Sequence, residues 1–440
     1  MAALGGRGRS WTRLALAPSE RPFVAAMFGY FFLVIATFWV LKPLKKGLLI
    51  SFYHRAGITV GPLHLSAAQG ELLAKIANVA IALLATAAFT LLARSLRRQQ
   101  LTYVFTAFSC AGFLLFAHLM QQPGAATVWT FYLFGDLFST LMVATFFAFL
   151  SDSVLPDESE RLYGPIVVGG AAGGVVGSSV VAGWIGTLSI SSWLWICTGL
   201  GLATAVLAAI AGRIADRRTL PDPPRSLTVP PPPRTQTFGA RLVLRSPYLL
   251  AILVVVGCHE IASTLLEFMT TTVAVDHFAG PAIGAYFARV FSAMNWAALG
   301  VQLLLTSTLL SRFGVGTTLA VQPAAMTLAS MAFLAAPTPW MGGVLNTTGG
   351  AFGYSLHQSA KEALYTSTSR TERYGAKAFI DMFGQRAAKA IALLATLAIT
   401  TLFADGVMLR WLAFSIAALG AIWLGAVRYA GREFDRRAAG

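Results

Sequence analysis

Apolar segments recur along the whole chain of 440 residues. Each is about twenty residues long, enough to cross the hydrocarbon core of a bilayer as a helix. Inside a bilayer every backbone N–H and C=O must find its partner within the protein, so a spanning segment of this length has to be helical. Charged residues make up 12% of the chain, whereas a soluble protein carries about 25%. The sequence therefore predicts an all-α polytopic membrane protein.

The pattern of these segments predicts twelve spanning helices. They cover roughly residues 23–41, 70–93, 101–120, 128–150, 164–188, 191–212, 247–274, 285–310, 317–336, 340–361, 377–403 and 407–427. An even number places both termini on one side, and the segments on that side hold 24 of the 33 lysines and arginines. Basic residues stay on the cytoplasmic side, so both termini are predicted to be cytoplasmic. Arginine (26) outnumbers lysine (7) as in GC-rich bacterial genomes, which indicates a bacterial inner membrane.

A proline-rich stretch divides the chain near its midpoint. It contains RTLPDPPRSLTVPPPPRTQ, and proline runs favour extended linkers. ERLYG at 160–164 and ERYG at 372–375 occupy equivalent positions in the two halves, as a weak internal repeat. Two six-helix halves joined by a central linker are the architecture of major-facilitator-type transporters. The predicted regions are a cytoplasmic tail 1–22, a first half 23–212, a linker 213–246, a second half 247–427 and a cytoplasmic tail 428–440.

The fifth predicted helix carries glycines at every fourth position, Gly169, Gly173 and Gly177. The stretch lacks the Gly-Lys-Ser/Thr of a phosphate-binding loop. Small residues at this spacing let two membrane helices approach closely. The pattern predicts close packing of helix five on a neighbour.

A few charges lie within the apolar spans, where each costs at least about 2.5–3.5 kcal/mol and so needs a reason. Asp136 lies in helix four, Glu260 and Glu267 share one face of helix seven, and Arg386 and Lys389 lie three residues apart in helix eleven. In a six-plus-six bundle, helices one, four, seven and ten line the central cavity, with helices two, five, eight and eleven beside them. This distribution favours a charged translocation path.

Several other charges have more than one reading. Lys42, Lys45 and Lys46, in LKPLKKG, are either a surface anchor at the end of helix one or part of an inward-facing anion site. Glu71 and Lys75 are spaced i,i+4 and can neutralise each other. Glu260 follows His259 and is either proton-linked to it or bonded to a neighbouring helix. Residues predicted to act as gates or in secondary roles are Lys42, Lys46, Glu71, Lys75, Glu260, Arg161, Lys361, Lys377 and Asp381.

The sequence contains no HExxH, CxxC or nucleophile-elbow motif, and its six histidines are scattered. Basic residues interleaved with aromatic ones do not form a patch that would bind nucleic acid. The sequence therefore predicts neither an enzyme nor a nucleic-acid-binding protein, and no cofactor or metal.

With these residues in view, the chain resembles the bacterial and plastid ATP/ADP translocase (nucleotide transporter) family. LKPLKKG is similar to the family's basic motif at helix one, in which Lys45 matches the lysine best. Residues 131–174 resemble its helix-four block, in which Asp136, Arg161, Tyr163 and Pro165 are the equivalents. LLEFMTT resembles the helix-seven motif with its essential glutamate, matched by Glu267. The most specific match is residues 361–390, where the pattern falls on Lys361, Glu362, Tyr365, Lys377, Asp381, Arg386 and Lys389.

The resemblance extends over about residues 23–427 and departs from the family at three points. In the helix-one motif this chain has Lys42 and Pro43 where an acidic or polar pair would be usual. The nucleotide-exchanging members have glutamate where this chain has Asp136, and a basic residue where it has Thr271. The resemblance implies a nucleotide antiporter in which Lys45, Arg386 and Lys389 replace the hydration of the phosphates. Asp136 and Glu267 would pair with these cations when the site is empty.

Three readings of the function follow. The first is an ATP/ADP-type antiporter of an anionic solute, working by alternating access as a monomer. The second is a proton-coupled transporter of another organic or phosphorylated anion, with Glu260 and Glu267 as proton carriers. The third is a membrane scaffold or receptor that transports nothing.

Overall fold

A computed structural model describes residues 16–154, 156–217, 236–403 and 405–439. The first half contains α1 (Arg21–Tyr53), α2 (Ala67–Ser95), α3 (Arg98–Leu119), α4 (Ala125–Ser153), α5 (Pro156–Trp184) and α6 (Ile190–Arg217). The second contains α7 (Gln236–Arg245), α8 (Pro247–His277), α9 (Pro281–Val301), α10 (Ser307–Ala335), α11 (Pro339–Phe352), α12 (Gln358–Leu364), α13 (Arg370–Phe379), α14 (Gln385–Leu402) and α15 (Asp405–Ala439).

Three π-helical segments interrupt the second half: Gln302–Thr306, Gly353–His357 and Ile380–Gly384. They join α9 to α10, α11 to α12 and α13 to α14 without ending the helical path. Such segments often occur at functional sites. The last two flank the cavity described below.

The helical architecture agrees with the predicted fold class. Ten helical stretches of the described chain are long and apolar enough to cross a bilayer. One of them, Pro281–Ala335, is 55 residues long and contains the eighth and ninth predicted spans. These separate at Gly314, whose φ of 78° breaks the helix. The predicted tenth span corresponds to α11 and α12 with the π segment between them.

One small element of the described chain is not helical. Strands β1 (Ile58–Val60) and β2 (Leu63–Leu65) pair as an antiparallel hairpin between α1 and α2. Gly57 and Gly61 have φ values of 61° and 58° and make the turns that the hairpin needs. This hairpin is confined to one loop, and the predicted all-α fold class is confirmed.

The first helix is much longer than predicted, because it continues from residue 41 to Tyr53. Pro43 lies inside it, which membrane helices tolerate when neighbouring groups satisfy the freed backbone. Lys45 and Lys46 are consequently buried, at 5% and 2% exposure, and are not surface anchors.

Both edges of the predicted linker are helical, since α6 continues to Arg217 and α7 occupies Gln236–Arg245. The α7 helix packs on α13, where a Cβ added to Gly239 would lie 2.8 Å from the Gly375 carbonyl oxygen. The remaining linker residues, 218–235, and residues 1–15 of the predicted N-terminal tail lie outside the described residues.

The glycine stripe of α5 packs against α1. A Cβ added at Gly169, Gly173 or Gly177 would collide with the carbonyl oxygens of Phe28, Phe32 and Ala36 respectively. The backbones of the two helices thus approach directly. The predicted close packing is observed, with α1 as the neighbour.

The two halves meet mainly through α1 and α5 against α9, and through α2 against α8 and α14. A Cβ added to Gly47 would lie 2.5 Å from the Gly284 Cα, so α1 and α9 touch there at backbone distance. Nearby, the Ser51 hydroxyl donates to the Gly280 carbonyl at 2.7 Å. These contacts lie at the end of the bundle at which α1 and α8 end, here called the closed end.

Candidate functional site

A cavity of about 630 Å³ lies between the halves, lined by α1, α8, α9, α11, α12, α14 and the two adjoining π segments. Helices one, seven and ten of the prediction therefore line it. Asp136 on α4 is not among the lining residues. The wall runs from Glu267, near the closed end, to Lys361, close to the end of α12.

Three cations line the cavity without a carboxylate within salt-bridge distance among the described residues: Lys42, Arg386 and Lys389. The Lys42 ammonium lies over the rings of Trp39 and Phe291, at 4.6 and 4.7 Å from their centroids. Such cation–π contacts hold a charge without neutralising it. The cavity therefore offers positive charge to a ligand.

Arg386 also contacts the opposite half. Its Nη2 donates to the Thr86 hydroxyl of α2 at 3.4 Å. Since α2 belongs to the first half and α14 to the second, a ligand that binds this guanidinium would sit where the two halves meet.

The other charges of the lining have partners. Lys361 pairs with Asp381 at 3.2 Å, and Glu260 accepts a hydrogen bond from the Gln385 side-chain amide at 2.5 Å. Glu267 belongs to the ion cluster described next. Lining and cluster together hold two more cations than carboxylates, which favours an anionic ligand.

Four charges form a buried cluster that crosses the closed end. Lys46 Nζ lies 2.8 Å from Glu71 and 3.0 Å from Glu267, and Lys75 Nζ lies 3.3 Å from Glu71 and 2.9 Å from Glu267. The Thr271 hydroxyl, 3.3 Å from Glu71, adds a further contact from the second half. We call Lys46, Glu71, Lys75 and Glu267 the closing cluster. It contains two charges of each sign and is the only described set of ion pairs between the halves.

Lys45 and Asp136 form a separate pair within the first half, and Asn78 donates to the same carboxylate. The Lys45 ammonium also lies 4.5 Å from the centroid of the Tyr132 ring. Lys45 is buried and is not a lining residue. Of the five predicted substrate-binding residues, Glu267, Arg386 and Lys389 line the cavity, whereas Lys45 and Asp136 do not.

Two further predicted residues lie away from the cavity. Arg161 pairs with Glu20 at 2.8 Å, within the first half. Lys377 pairs with Glu362 at 2.5 Å in a pair about two-fifths exposed. Both therefore hold helix ends together.

Sequence reasoning missed several lining residues of the tenth span. Tyr354 presents an aromatic face to the cavity with 58% of its surface exposed, and His357 lies one turn further along. Their spacing from Lys361, at steps of three and four residues, places all three on one helical face. This spacing could have identified Tyr354 and His357 as cavity-lining residues from the sequence.

The described parts of the chain contain no group of three or more His, Cys, Asp or Glu residues that could hold a metal ion.

The fold is similar to that of two solved transporters. A mutant of the nucleoside transporter NupG matches 93% of this chain and 99% of its own, with a TM-score of 0.65 and 14% identity. A bacterial homologue of the human lysosomal transporter Spinster, inward-facing and unoccupied, matches 96% of this chain and 99% of its own, with a TM-score of 0.59 and 12% identity. No protein-family model and no curated protein sequence matches the chain. These similarities confirm the predicted major-facilitator-like fold.

Proposed function

We propose that this protein is a secondary transporter that moves an anionic solute across the membrane by alternating access. The observation that carries the proposal is the cavity between the halves, with Lys42, Arg386 and Lys389 on its wall and no carboxylate paired to them in the described chain. Charges within a membrane-spanning bundle are costly and usually mark a substrate path. An entering anion would give these cations their partners.

A nucleotide exchanged in the ATP/ADP manner is the first candidate. Its phosphates need cations that replace their hydration, which Arg386 and Lys389 can supply. Its base needs a flat apolar surface, which the exposed ring of Tyr354 can supply. The resemblance of residues 361–390 to the ATP/ADP translocase family supports this choice, as does a nucleoside transporter of the same fold.

The two predicted lysine roles change in this proposal. Lys42 takes the place of Lys45 as the substrate-facing lysine of α1, because Lys45 is already neutralised by Asp136. Lys46 holds the closing cluster together with Glu267 and must release that carboxylate when the closed end opens. The protein exchanges one solute molecule for another if its empty form, with excess positive charge in the cavity, switches between outward-open and inward-open conformations more slowly than its loaded form.

The cellular setting is part of the proposal. We propose that both termini lie in the cytoplasm of a bacterium and the protein in its inner membrane, which the distribution of basic residues supports. The closed end then faces outward, because α1 begins at the cytoplasmic side, crosses the membrane once and ends at the closed end. We propose a monomer as the working unit.

The proposal is tested by thermal stability of the purified protein with ATP, ADP, glucose 6-phosphate and citrate. A bound solute raises the melting temperature, and at a given concentration a tighter-binding solute raises it more. We expect ADP or ATP to stabilise the wild type, and Lys389→Gln to weaken binding about tenfold or more, since a hydrogen bond to a charged group contributes about 1.5–3 kcal/mol.

The matched control is Lys377→Gln, which removes the same charge from an exposed pair outside the cavity. It should bind ADP as the wild type does. If none of the four anions stabilises the protein, or if Lys389→Gln and Lys377→Gln weaken binding equally, the proposal is wrong. A scaffold or receptor would then be the better reading.

A second candidate is the proton-coupled transport of another organic or phosphorylated anion. One observation favours it: two histidine rings, from α8 and from the π segment before α12, stack in the cavity wall. Glu260 and Glu267, the predicted proton carriers, are both bonded to neighbouring side chains. Glucose 6-phosphate and citrate are included in the thermal series to detect such a solute.

A further inference from the structure

The rings of His259 and His357 stack in the wall of the cavity. Their centroids are 4.4 Å apart and their planes are inclined by 21°. His259 comes from the middle of α8, and His357 is the last residue of the π-helical segment Gly353–His357. Both line the cavity, and His259 is the more exposed of the two, so a proton from cavity water can reach the pair through His259.

The hydrogen bonding around this pair is incomplete. His259 Nδ1 lies 2.9 Å from the Gln322 side-chain nitrogen, which can only donate. The nitrogen His357 Nδ1 and the oxygen Gln322 Oε1 are buried, and neither has a partner among the described residues. Buried polar atoms without partners are rare enough to need an explanation.

We propose that His259 and His357 together bind a single proton, which moves through the membrane with the anion carried in the cavity. This inference rests on the proposed function and adds the coupling ion to it. In the neutral pair, the Gln322 amide donates to His259 Nδ1. When the proton from cavity water binds Nδ1, rotation of the amide turns Gln322 Oε1 toward the new N–H as its acceptor. The face of the neutral His357 ring, 4.4 Å away, then stabilises the His259 imidazolium against which it stacks. On release the proton returns to water and the amide turns back, so no other group gains or loses charge.

The surroundings limit the pair to one proton. Two imidazolium rings at this separation would repel each other strongly, as two carboxylates do when they share a site. The charged groups that act on the pair from neighbouring positions are Glu260 on α8 and Lys361 on α12. Lys361 is held by Asp381 from the π segment before α14. The α10 and α15 helices present the neutral side chains of Gln322 and Trp423.

The backbone fits a coupling role. A Cβ added to Gly353 would lie 3.0 Å from His259 Cε1, so a larger residue there would force the ring and the π segment slightly apart. The π segment also sets the direction of His357 relative to Tyr354, which faces the proposed ligand. A ligand that shifts this part of the tenth span would therefore shift one ring of the stack relative to the other.

Proton and anion then stabilise each other. A positive charge in the wall strengthens anion binding, and by linkage the bound anion strengthens proton binding by the same factor. With one proton involved, the affinity for ADP should rise as the pH falls, by at most about tenfold per pH unit. Histidine is the side chain that ordinarily changes its charge between pH 5 and 8, so the response is sought by titrating from pH 8 down to pH 5.5.

The first experiment measures ADP binding to purified protein from pH 5.5 to 8, with a pH dye to detect proton uptake on ADP addition. The wild type should take up a proton, and His357→Gln and His259→Gln should show an ADP affinity that no longer follows pH. The matched control is His277→Gln, whose imidazole bonds to the Val273 carbonyl outside the cavity. Loss of pH dependence in the control, or its survival in both pair variants, would overturn the proposal.

A second measurement does not depend on ADP. Trp423 lies 6.0 Å from both imidazole rings, and a protonated imidazole quenches indole fluorescence. The emission of Trp423 is obtained as the difference between the fluorescence of the wild type and that of Trp423→Phe. This emission should fall in one step as the pH is lowered, and His357→Gln should abolish that step. If ADP fails to bind but the step is present, the proposed function is wrong and the proton site stands. If ADP binds and no step occurs, the proton site is wrong.

Discussion

Replacing Glu267 with glutamine should open the closed end of the bundle. Glu267 is the carboxylate that the second half contributes to the closing cluster, and it contacts both Lys46 and Lys75. The variant leaves two buried lysines with Glu71 alone. That net positive charge is relieved if the halves separate and water enters.

The size of the effect follows from burial. Breaking a fully buried ion pair costs about 3–5 kcal/mol. The Glu267 side chain is 29% exposed, and both lysines keep Glu71 as a partner, so we reduce the expected cost to about 2 kcal/mol. At about 1.4 kcal/mol per factor of ten, the population open at this end should rise about thirtyfold.

Cysteine labelling measures this population. Ser263 lines the cavity, and the three native cysteines are buried and should react slowly. In proteoliposomes carrying Ser263→Cys, a membrane-impermeant thiol reagent is added from the side of the closed end. We expect labelling to be about thirtyfold faster when Glu267→Gln is added, in proportion to the open population.

The control is Glu362→Gln, which removes a carboxylate from an exposed pair within the second half. Exposed ion pairs contribute about 0–1 kcal/mol, so labelling in this variant should stay close to that of the parent. Equal labelling rates in Glu267→Gln and Glu362→Gln would refute the assignment of the closing cluster.

Two more variants test packing and charge in the first half. Gly173→Leu places a side chain against the Phe32 carbonyl, and overpacking that costs about 1–3 kcal/mol should lower the melting temperature of this variant. The control Gly199→Leu, where an added Cβ has nothing within 4 Å, should keep the wild-type melting temperature. Equal melting temperatures of the two variants would contradict the backbone contact between α5 and α1. Asp136→Asn leaves Lys45 buried without its carboxylate and should lower the melting temperature, and adding Lys45→Met should restore most of it. A double variant no more stable than Asp136→Asn would show that the pair is not the cause.

Local patterns in the sequence predicted the parts of this structure that depend on nearby residues. The Glu71–Lys75 contact follows from their i,i+4 spacing, and the glycines of α5 indicated a helix neighbour at backbone distance. The π segment that ends at His357 could not be anticipated in the same way. It packs against His259, almost a hundred residues earlier in the chain, and nothing local to residues 353–357 marks it.

The three lysines of LKPLKKG show, residue by residue, what the sequence predicted and what the fold decided. The sequence showed that three lysines follow an apolar run, and the resemblance favoured Lys45 for the ligand. In the folded protein Lys42 lies in the cavity wall, Lys45 pairs with Asp136, and Lys46 joins the closing cluster. One helical turn thus distributes its charges to three different partners, according to the direction in which each side chain leaves α1.

The sequence by itself determined that this protein crosses a membrane many times in two six-helix halves. Each span can be recognised from its own length and hydropathy, and the bilayer allows an apolar spanning segment only to be helical. The tertiary structure alone decided which charges are neutralised and which remain available to a ligand. Lys46 and Glu267 lie 221 positions apart, and ion pairs depend on distances of a few ångströms that only the packing of α1, α2 and α8 sets. The same packing left Lys42, Arg386 and Lys389 unpaired within the described chain and brought two distant histidines into one stack.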